Sequence, residues 1–309
     1  MPILTQGQIN EIKAAFLLRF EAAGQALSKS AENWGDALFV RETTDSETYD
    51  IFEILDQSKL RKTKVGAQSE YSTKGARKHV ITIDQHDHSV SLELKDLTKM
   101  IGSALKQGVS GANLYAMLNQ QITCDVLRDG DSSAYVMPHG SNFFDDSIPA
   151  GGTTFDNLLA LPFTLANLAT AIGLMQFFSA HNGEPAGFKP NHLIVPPALY
   201  KDALDYTQST YLERSGDGGD NQTTKLGHQG QLKPLSDVRL IDPNDWFLLH
   251  ASEYAKPIMI VTHDTYGTPE YVWSSQKETW DNKRLEATSF VWLTAYGNDS
   301  RTAIKSVQA

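Results

Sequence analysis

Two short apolar runs bounded by proline turns constrain this chain more than any other feature. From Lys189 to Leu204 it reads Lys-Pro-Asn-His-Leu-Ile-Val-Pro-Pro-Ala-Leu-Tyr-Lys-Asp-Ala-Leu. His192 to Val195 has the composition of a buried strand, and Pro196 and Pro197 have no N–H to give a ladder, so the strand must stop there. The second proline suits the opening turn of a helix. Further on, Asp242-Pro-Asn-Asp-Trp-Phe-Leu-Leu-His250 launches a second apolar strand from an Asp-Pro-Asn turn. The middle of the chain is therefore expected to be a mixed α/β lobe.

The N-terminal part carries other periods. Thr5-Gln-Gly-Gln8 has the form of a capping box, and Ile9, Ile12, Phe16 and Phe20 recur at helical spacing, which predicts an amphipathic helix to about Leu27. Tyr49 to Ile54, His79 to Ile83 and Ser89 to Leu94 read as strands. Between the first two, Gln57 to His79 holds Lys59, Arg61, Lys62, Lys64, Lys74, Arg77 and Lys78 against the single acid Glu70, a net +6 in an acidic protein. A solvated loop is the plain reading of such a run; a loop reaching across to an acidic neighbour is the functional one. From Lys95 to about Arg128 there is no proline, and Leu97, Ile101, Leu105, Tyr115, Leu118, Ile122 and Val126 recur every three or four residues. A continuous helix of that size would run roughly 50 Å, with a bend or break expected near Gly108 to Gly111.

Asp129 to Phe155, rich in Gly, Ser and Asp, reads as an irregular connection containing Asn142-Phe-Phe-Asp-Asp146. Thr164 caps a helix with Leu165, Leu168, Ile172 and Met175 on one face, closed by Asn182-Gly183. Ser215 to Gln231 is nearly devoid of apolar residues and reads as a mobile loop. Lys256 to Val261, Glu270 to Ser274 and Arg284 to Tyr296 follow as strands. Trp246 and Trp292 are expected in the core and Trp280, beside Asp281 and Lys283, as a contact.

Several chemistries are excluded or weakly supported. At 309 residues and 40% hydrophobic content the chain can fill a real core, and its formal charge of −10 argues against general nucleic-acid binding. The lone Cys124 permits neither an intrachain disulfide nor a cysteine zinc cage, and reads as packing. No segment approaches the roughly 20 apolar residues a membrane span needs, and no basic-then-apolar leader opens the chain. Neither a phosphate-binding glycine loop nor a Gly-x-Ser-x-Gly elbow occurs. Asp217, Asp220, Asp242 and Asp245 lack calcium-loop spacing and read as loop solvation. Asp84, His86 and His88 are the candidate metal ligands, since residues two apart on a strand share a face. The competing reading makes them the wet face of a strand whose other face is Val90 and Leu92.

The strand, double proline and helix of Lys189 to Leu204, the Asp-Pro-Asn-x-Trp-Phe-Leu-Leu strand within Asp242 to Pro257, and more loosely Asn142 to Asp146, resemble the major capsid proteins of tailed bacteriophages, above all the Mu-like head subunits. The resemblance implies an α+β protein of the Hong Kong 97-type capsid fold. Its parts would be an N-terminal arm (1–45), an extended β-hairpin loop (46–94), a peripheral domain with a long spine helix (95–160 with 262–309) and an axial domain (161–261). It implies a structural head protein, not an enzyme, with no cofactor, self-assembling into pentamers and hexamers of an icosahedral virion capsid around double-stranded DNA. Assembly would take place in the host bacterial cytoplasm. Implied partners are other copies of the chain, a portal, a decoration protein and a separate scaffolding protein, the last because the arm helix starts within a few residues of Met1. Lys59, Arg61, Lys62, Lys64, Lys74, Arg77, Lys78, Phe16 and Phe20 become candidate inter-subunit contacts. Alternatives are an encapsulin-like shell storing a cargo enzyme and, from another class, a metal-dependent enzyme using Asp84, His86 and His88.

Overall fold

The computed structural model describes residues 6–28, 35–55, 75–93, 101–150, 152–208, 211–214, 222–225, 231–275, 278–279 and 283–308. Helix α1 (Gln6–Ser28) and the one-turn α2 (Gly35–Leu38) lead into β1 (Phe39–Thr44). An antiparallel hairpin of β2 (Thr48–Leu55) and β3 (Gly75–Thr82) follows, then β4 (Gln85–Glu93) and the long helix α3 (Ile101–Asp129). Strands β5 (Ile148–Ala150), β6 (Thr153–Phe155) and β7 (Leu158–Leu159) precede α4 (Leu165–Phe177), β8 (His192–Val195) and α5 (Tyr200–Gln208). The remainder is β-rich: β9 (Tyr211–Arg214), β10 (Gln222–Lys225), β11 (Lys233–Ser236), β12 (Trp246–Leu249), β13 (Ile258–His263), β14 (Glu270–Trp273), β15 (Arg284–Gly297) and β16 (Ala303–Ser306).

Two five-stranded sheets form the body. In the first, β1 runs parallel to β13, β13 pairs antiparallel with β15, and β14 and β4 also pair with β15. The second has the order β11-β8-β12-β16-β7. Its strands β8 and β12 read as nearly unbroken apolar runs because both faces are covered. Leu193, Val195, Trp246, Leu248 and Ile304 pack with Leu168, Ala171 and Met175 of α4 and Ala203 of α5. Ile194, Phe247, Leu249 and Ala303 on the opposite face join α3 and the first sheet in the larger core. Trp246 is fully buried and its Nε1 donates to Leu161 O at 2.9 Å.

Several sequence expectations meet these elements directly. β8 and β12 fall where the proline and Asp-Pro-Asn punctuation places them, and Thr164 Oγ1 caps α4 by accepting the Asn167 N–H at 3.3 Å. Trp292 is half-buried against His263 and Tyr266, while Trp280 lies outside the described residues. The body divides differently from the expected boundaries. β7 and β16 complete the second sheet, β1 belongs to the first sheet and not to an arm, and β13 crosses from one expected domain into the other. α4 stops at Phe177, and Asn182-Gly183 closes a later turn in which Gly183, at φ 76°, donates to Ala180 O. Gln222–Lys225 pairs with Tyr211–Arg214, so part of the expected mobile loop is strand.

No break occurs near Gly108 to Gly111: α3 is one uninterrupted helix of 29 residues, about 43 Å long. Gly111 serves close approach instead. A Cβ there would lie 2.3 Å from the Tyr271 hydroxyl and 3.1 Å from His88 Cε1, so packing on the sheet outweighs glycine's poor helix propensity.

The irregular stretch after α3 is folded tightly around the Phe143-Phe144 pair, both fully buried. Asn157, itself buried, donates from Nδ2 to Phe143 O (3.0 Å) and Ser300 O (2.8 Å) and accepts the Asp145 N–H at Oδ1 (2.9 Å). Phe143 lies against Gly297 at the end of β15, where a Cβ would stand 2.2 Å from the ring. A fully buried ring has nowhere to retreat, so Gly297→Ala is expected to cost about 1–3 kcal/mol by overpacking. A lower urea midpoint at unchanged m-value is the expected reading.

Candidate subunit interface

The hairpin offers one candidate surface for a neighbour. In an antiparallel pair, directly opposed residues share a face. Opposed pairs Ile51 with His79 and Tyr49 with Ile81 therefore face the body, while Phe52 with Lys78 and Asp50 with Val80 face away. Ile51 and Ile81 are buried, whereas Phe52 and Val80 are 59% and 50% exposed. The outward face thus carries two large apolar side chains beside the Lys78–Asp50 ion pair at 2.7 Å. Arg77 points inward, 3.9 Å from Glu53.

This geometry revises the reading of the basic run. β3 starts at Gly75, so Arg77 and Lys78 are strand residues with acidic partners on β2 and not part of a free loop. Lys59, Arg61, Lys62, Lys64 and Lys74 lie outside the described residues. Phe16 and Phe20 also change role. Both are buried by the chain's own packing, with Phe16 edge-on to Tyr271 (5.0 Å) and Trp273 (5.2 Å) and Phe20 edge-on to Tyr271 (5.0 Å) and Tyr115 (6.2 Å). The apolar stripe of α1 rests on β4, β14 and α3 of the same chain, so these rings are not presented to a neighbour.

The metal reading finds no support in the geometry. β4 alternates so that His86, His88, Val90 and Leu92 share the inward face, since all are an even number of residues apart; the histidines are not the wet side of the strand. His88 Nδ1 lies 2.6 Å from the Tyr271 hydroxyl, and Asp84 Oδ2 accepts from Thr294 Oγ1 at 3.3 Å. Among the described residues no three His, Cys, Asp or Glu side chains converge as a metal site. Cys124 is fully buried, and burial drives its thiol pKa far up, with Asp237 adding to the shift, which leaves an unreactive thiol. Asp242 accepts the Asn244 N–H in its turn, as loop solvation requires, while Asp217 and Asp220 lie outside the described residues.

Where the hairpin meets the body, a cavity of about 160 Å³ is lined by Ile51, Glu53, Met137, His139, His181 and Arg301, among others. His181 Nε2 stands 3.2 Å from Glu53 Oε1. Burial alone would raise the Glu53 pKa, but the His181 hydrogen bond and the charges of His139, His181 and Arg77 hold it below the usual value. Burial lowers the His139 pKa, helped by Arg77 and His181 and opposed by Glu53 and Asp145. Neither this cluster nor the exposed Phe52 was singled out from sequence. The signal for Phe52 was present: adjacent Ile51 and Phe52 on a strand cannot both face inward. No local pattern could have joined Glu53 to His139 and His181.

A family model described as phage capsid protein matches residues 96–306. No curated protein matches the sequence. Among solved structures, the chain is similar in fold to the bacteriophage JBD30 capsid, at 14% identity and TM-score 0.54 over 70% of this chain and 93% of that one. It is likewise similar to the capsid of cyanophage P-SCSP1u (10% identity, TM-score 0.55, 89% and 87% of the two chains). A third likeness is to Microbacterium phage Oxtober96 (9% identity, TM-score 0.55, 91% and 92%).

Because Phe16 fills an aromatic nest made by its own chain, Phe16→Ala is expected to cost about 3–5 kcal/mol of local stability and release α1 from the sheet. Limited proteolysis should then cut within Gln6–Ser28 while the body fragment persists; a helix as protected as in the parent would contradict the assignment.

Proposed function

Since the chain belongs to the phage capsid protein family, it is a structural subunit of a phage head with the Hong Kong 97-type fold, and we propose that copies of it assemble into pentamers and hexamers closing an icosahedral shell around double-stranded DNA. The observation that carries the reading is the family match over residues 96–306, more than half of the chain. In this reading the first sheet with α3 is the peripheral domain and the second sheet with α4 and α5 is the axial domain. The β2–β3 hairpin is the extended loop, and α1 is the arm.

The charge of −10 suits a wall that encloses DNA without gripping it. Shell closure needs many modest contacts, because weak reversible ones let a misplaced subunit leave. The basic segment between β2 and β3, with Lys59, Arg61, Lys62 and Lys64, supplies one such contact by docking on the acidic surface of an adjacent copy. The exposed Phe52 and Val80 add apolar area beside it. Assembly in the host cytoplasm with a scaffolding protein, a portal and a decoration protein completes the proposal.

Two measurements test it. Negative-stain microscopy of the protein, expressed alone and with a co-expressed scaffolding protein, should show rings or closed shells; a monodisperse monomer under all conditions would overturn the assembly reading. Replacing Lys59, Arg61, Lys62 and Lys64 by Glu should raise the concentration needed for assembly on the order of tenfold or more, since each exposed pair is worth about 0.2–1 kcal/mol. An unchanged assembly yield, together with no weakening at higher salt, would remove the basic segment from the interface.

A further inference from the structure

Helix α4 is apolar on both sides. Residues 157–183 include no Asp, Glu, Lys or Arg, in a chain of which 21% is charged. One side of α4 is taken up by the second sheet, through the buried Leu168, Ala171 and Met175. The other side sets Ala166, Thr170, Gly173 and Phe177 in line at helical spacing, with Leu174 beside them. Phe177 is 76% exposed and Leu174 40%. A surface helix turns polar residues to water, whereas one that is apolar all round belongs in an interior. The hydroxyl in this line is already satisfied within the helix, since Thr170 Oγ1 donates to Ala166 O at 3.0 Å.

Gly173 is an independent sign. Glycine is a poor helix former, and Gly111 is explained in α3 because a Cβ there would strike the Tyr271 hydroxyl. Gly173 has no such reason: a Cβ there would meet nothing within 4 Å. Packing inside the subunit does not call for glycine at this place, but a backbone approaching α4 from outside would. Single exposed apolar residues are ordinary on any surface. An uncharged line with a notch in it is not.

A matching surface lies on the opposite face of the same sheet. The turn between β11 and β12 sends Leu240 into the larger core, and its Asp237 accepts from Gln120 Nε2 of α3. Val238 and Ile241 are left outside, 80% and 76% exposed. Arg239 is held by Asp237 at 2.9 Å, so the turn's cation would not meet the uncharged α4 face unpaired. Because the two surfaces look apart, one subunit cannot close them on each other. Contact between them is head-to-tail, the kind that generates rings.

Resting on the reading of the chain as a shell subunit, we propose that the outer line of α4 receives the 238–241 turn of the next copy in a ring, with the backbone of that turn seated in the notch at Gly173. This contact is apolar, so it holds at high salt, where the contact of the basic segment weakens.

Cross-linking tests the pairing. The chain's one native cysteine, Cys124, is fully buried, which leaves introduced thiols as the reactive ones. Full-length protein carrying both Leu174→Cys and Ile241→Cys, assembled and treated with a short bismaleimide, should give a ladder of linked copies on a denaturing gel, while each single variant should run as monomer. Closed shells by microscopy without a ladder would overturn the proposal and leave the shell reading standing. Linked dimers from Leu174→Cys alone would overturn it by showing that α4 meets α4, and a parent that forms neither rings nor shells would remove both readings. A second variant needs no cross-linker. Leucine at 173 fits the free copy and favours the helix, so Gly173→Leu should hold or raise the thermal midpoint of unassembled protein while raising the concentration needed for assembly roughly tenfold or more, at low and high salt alike. Unchanged assembly, or a lowered midpoint showing that the glycine serves the subunit's own packing, would each overturn the proposal.

Discussion

One C-terminal segment, Arg284 to Ser306, supplies a strand to both sheets, and the rest of the structure depends on that shared run. β15 receives β14 and β4 along its first half and β13 along its second. After one short helical turn the chain re-enters as β16, between β12 and β7 of the other sheet. The two lobes therefore share one covalent, hydrogen-bonded spine. The crossing is sealed from both sides: Phe143 fits against Gly297, and Asn157 ties Phe143 O to Ser300 O. Lys305 of β16 is nearly fully buried, reaching Asp131 at 3.0 Å and the Arg128 carbonyl at the end of α3. A cation there complements the helix C-terminus, so the spine helix is locked to the same segment.

Outside the main core, the outer piece α1 is held by smaller apolar clusters. α1 is anchored by Ile9, Ile12, Phe16 and Phe20 in two small clusters separate from the main core. The hairpin is anchored by Ile51 and Ile81 and by the stacking of His79 on Tyr296, whose hydroxyl donates to Val136 O. Elements held by small clusters open at lower free energy than the core.

What was legible in the sequence followed from local rules. Pro196 and Pro197 ended β8, the Asp-Pro-Asn turn launched β12, and Thr164 opened α4, because each depends only on backbone geometry a few residues wide. The order of elements likewise carried the resemblance to the capsid fold. Misreadings arose wherever a distant residue decides. Gly111 suggested a bend or break, but the helix runs on unbroken, and Tyr271 and His88, far away in sequence, require that glycine for close approach. The boundary drawn at residue 161 missed that β16, at the end of the chain, needs β7 as a parallel partner. Phe16 and Phe20 read as candidate contacts between subunits because an amphipathic helix says only that its stripe is covered, not by which chain.

The account rests on the two-sheet body being the constant part of the subunit while the outward face of the hairpin is completed by sister copies. A cryo-electron microscopy reconstruction of the assembled particle, at side-chain detail, tests this most directly. It should retain β15 and β16 paired within one chain as described, with Phe52 and Val80 covered by a neighbouring copy. A particle in which both side chains face solvent in every subunit, or in which β16 is donated by another chain, would contradict it.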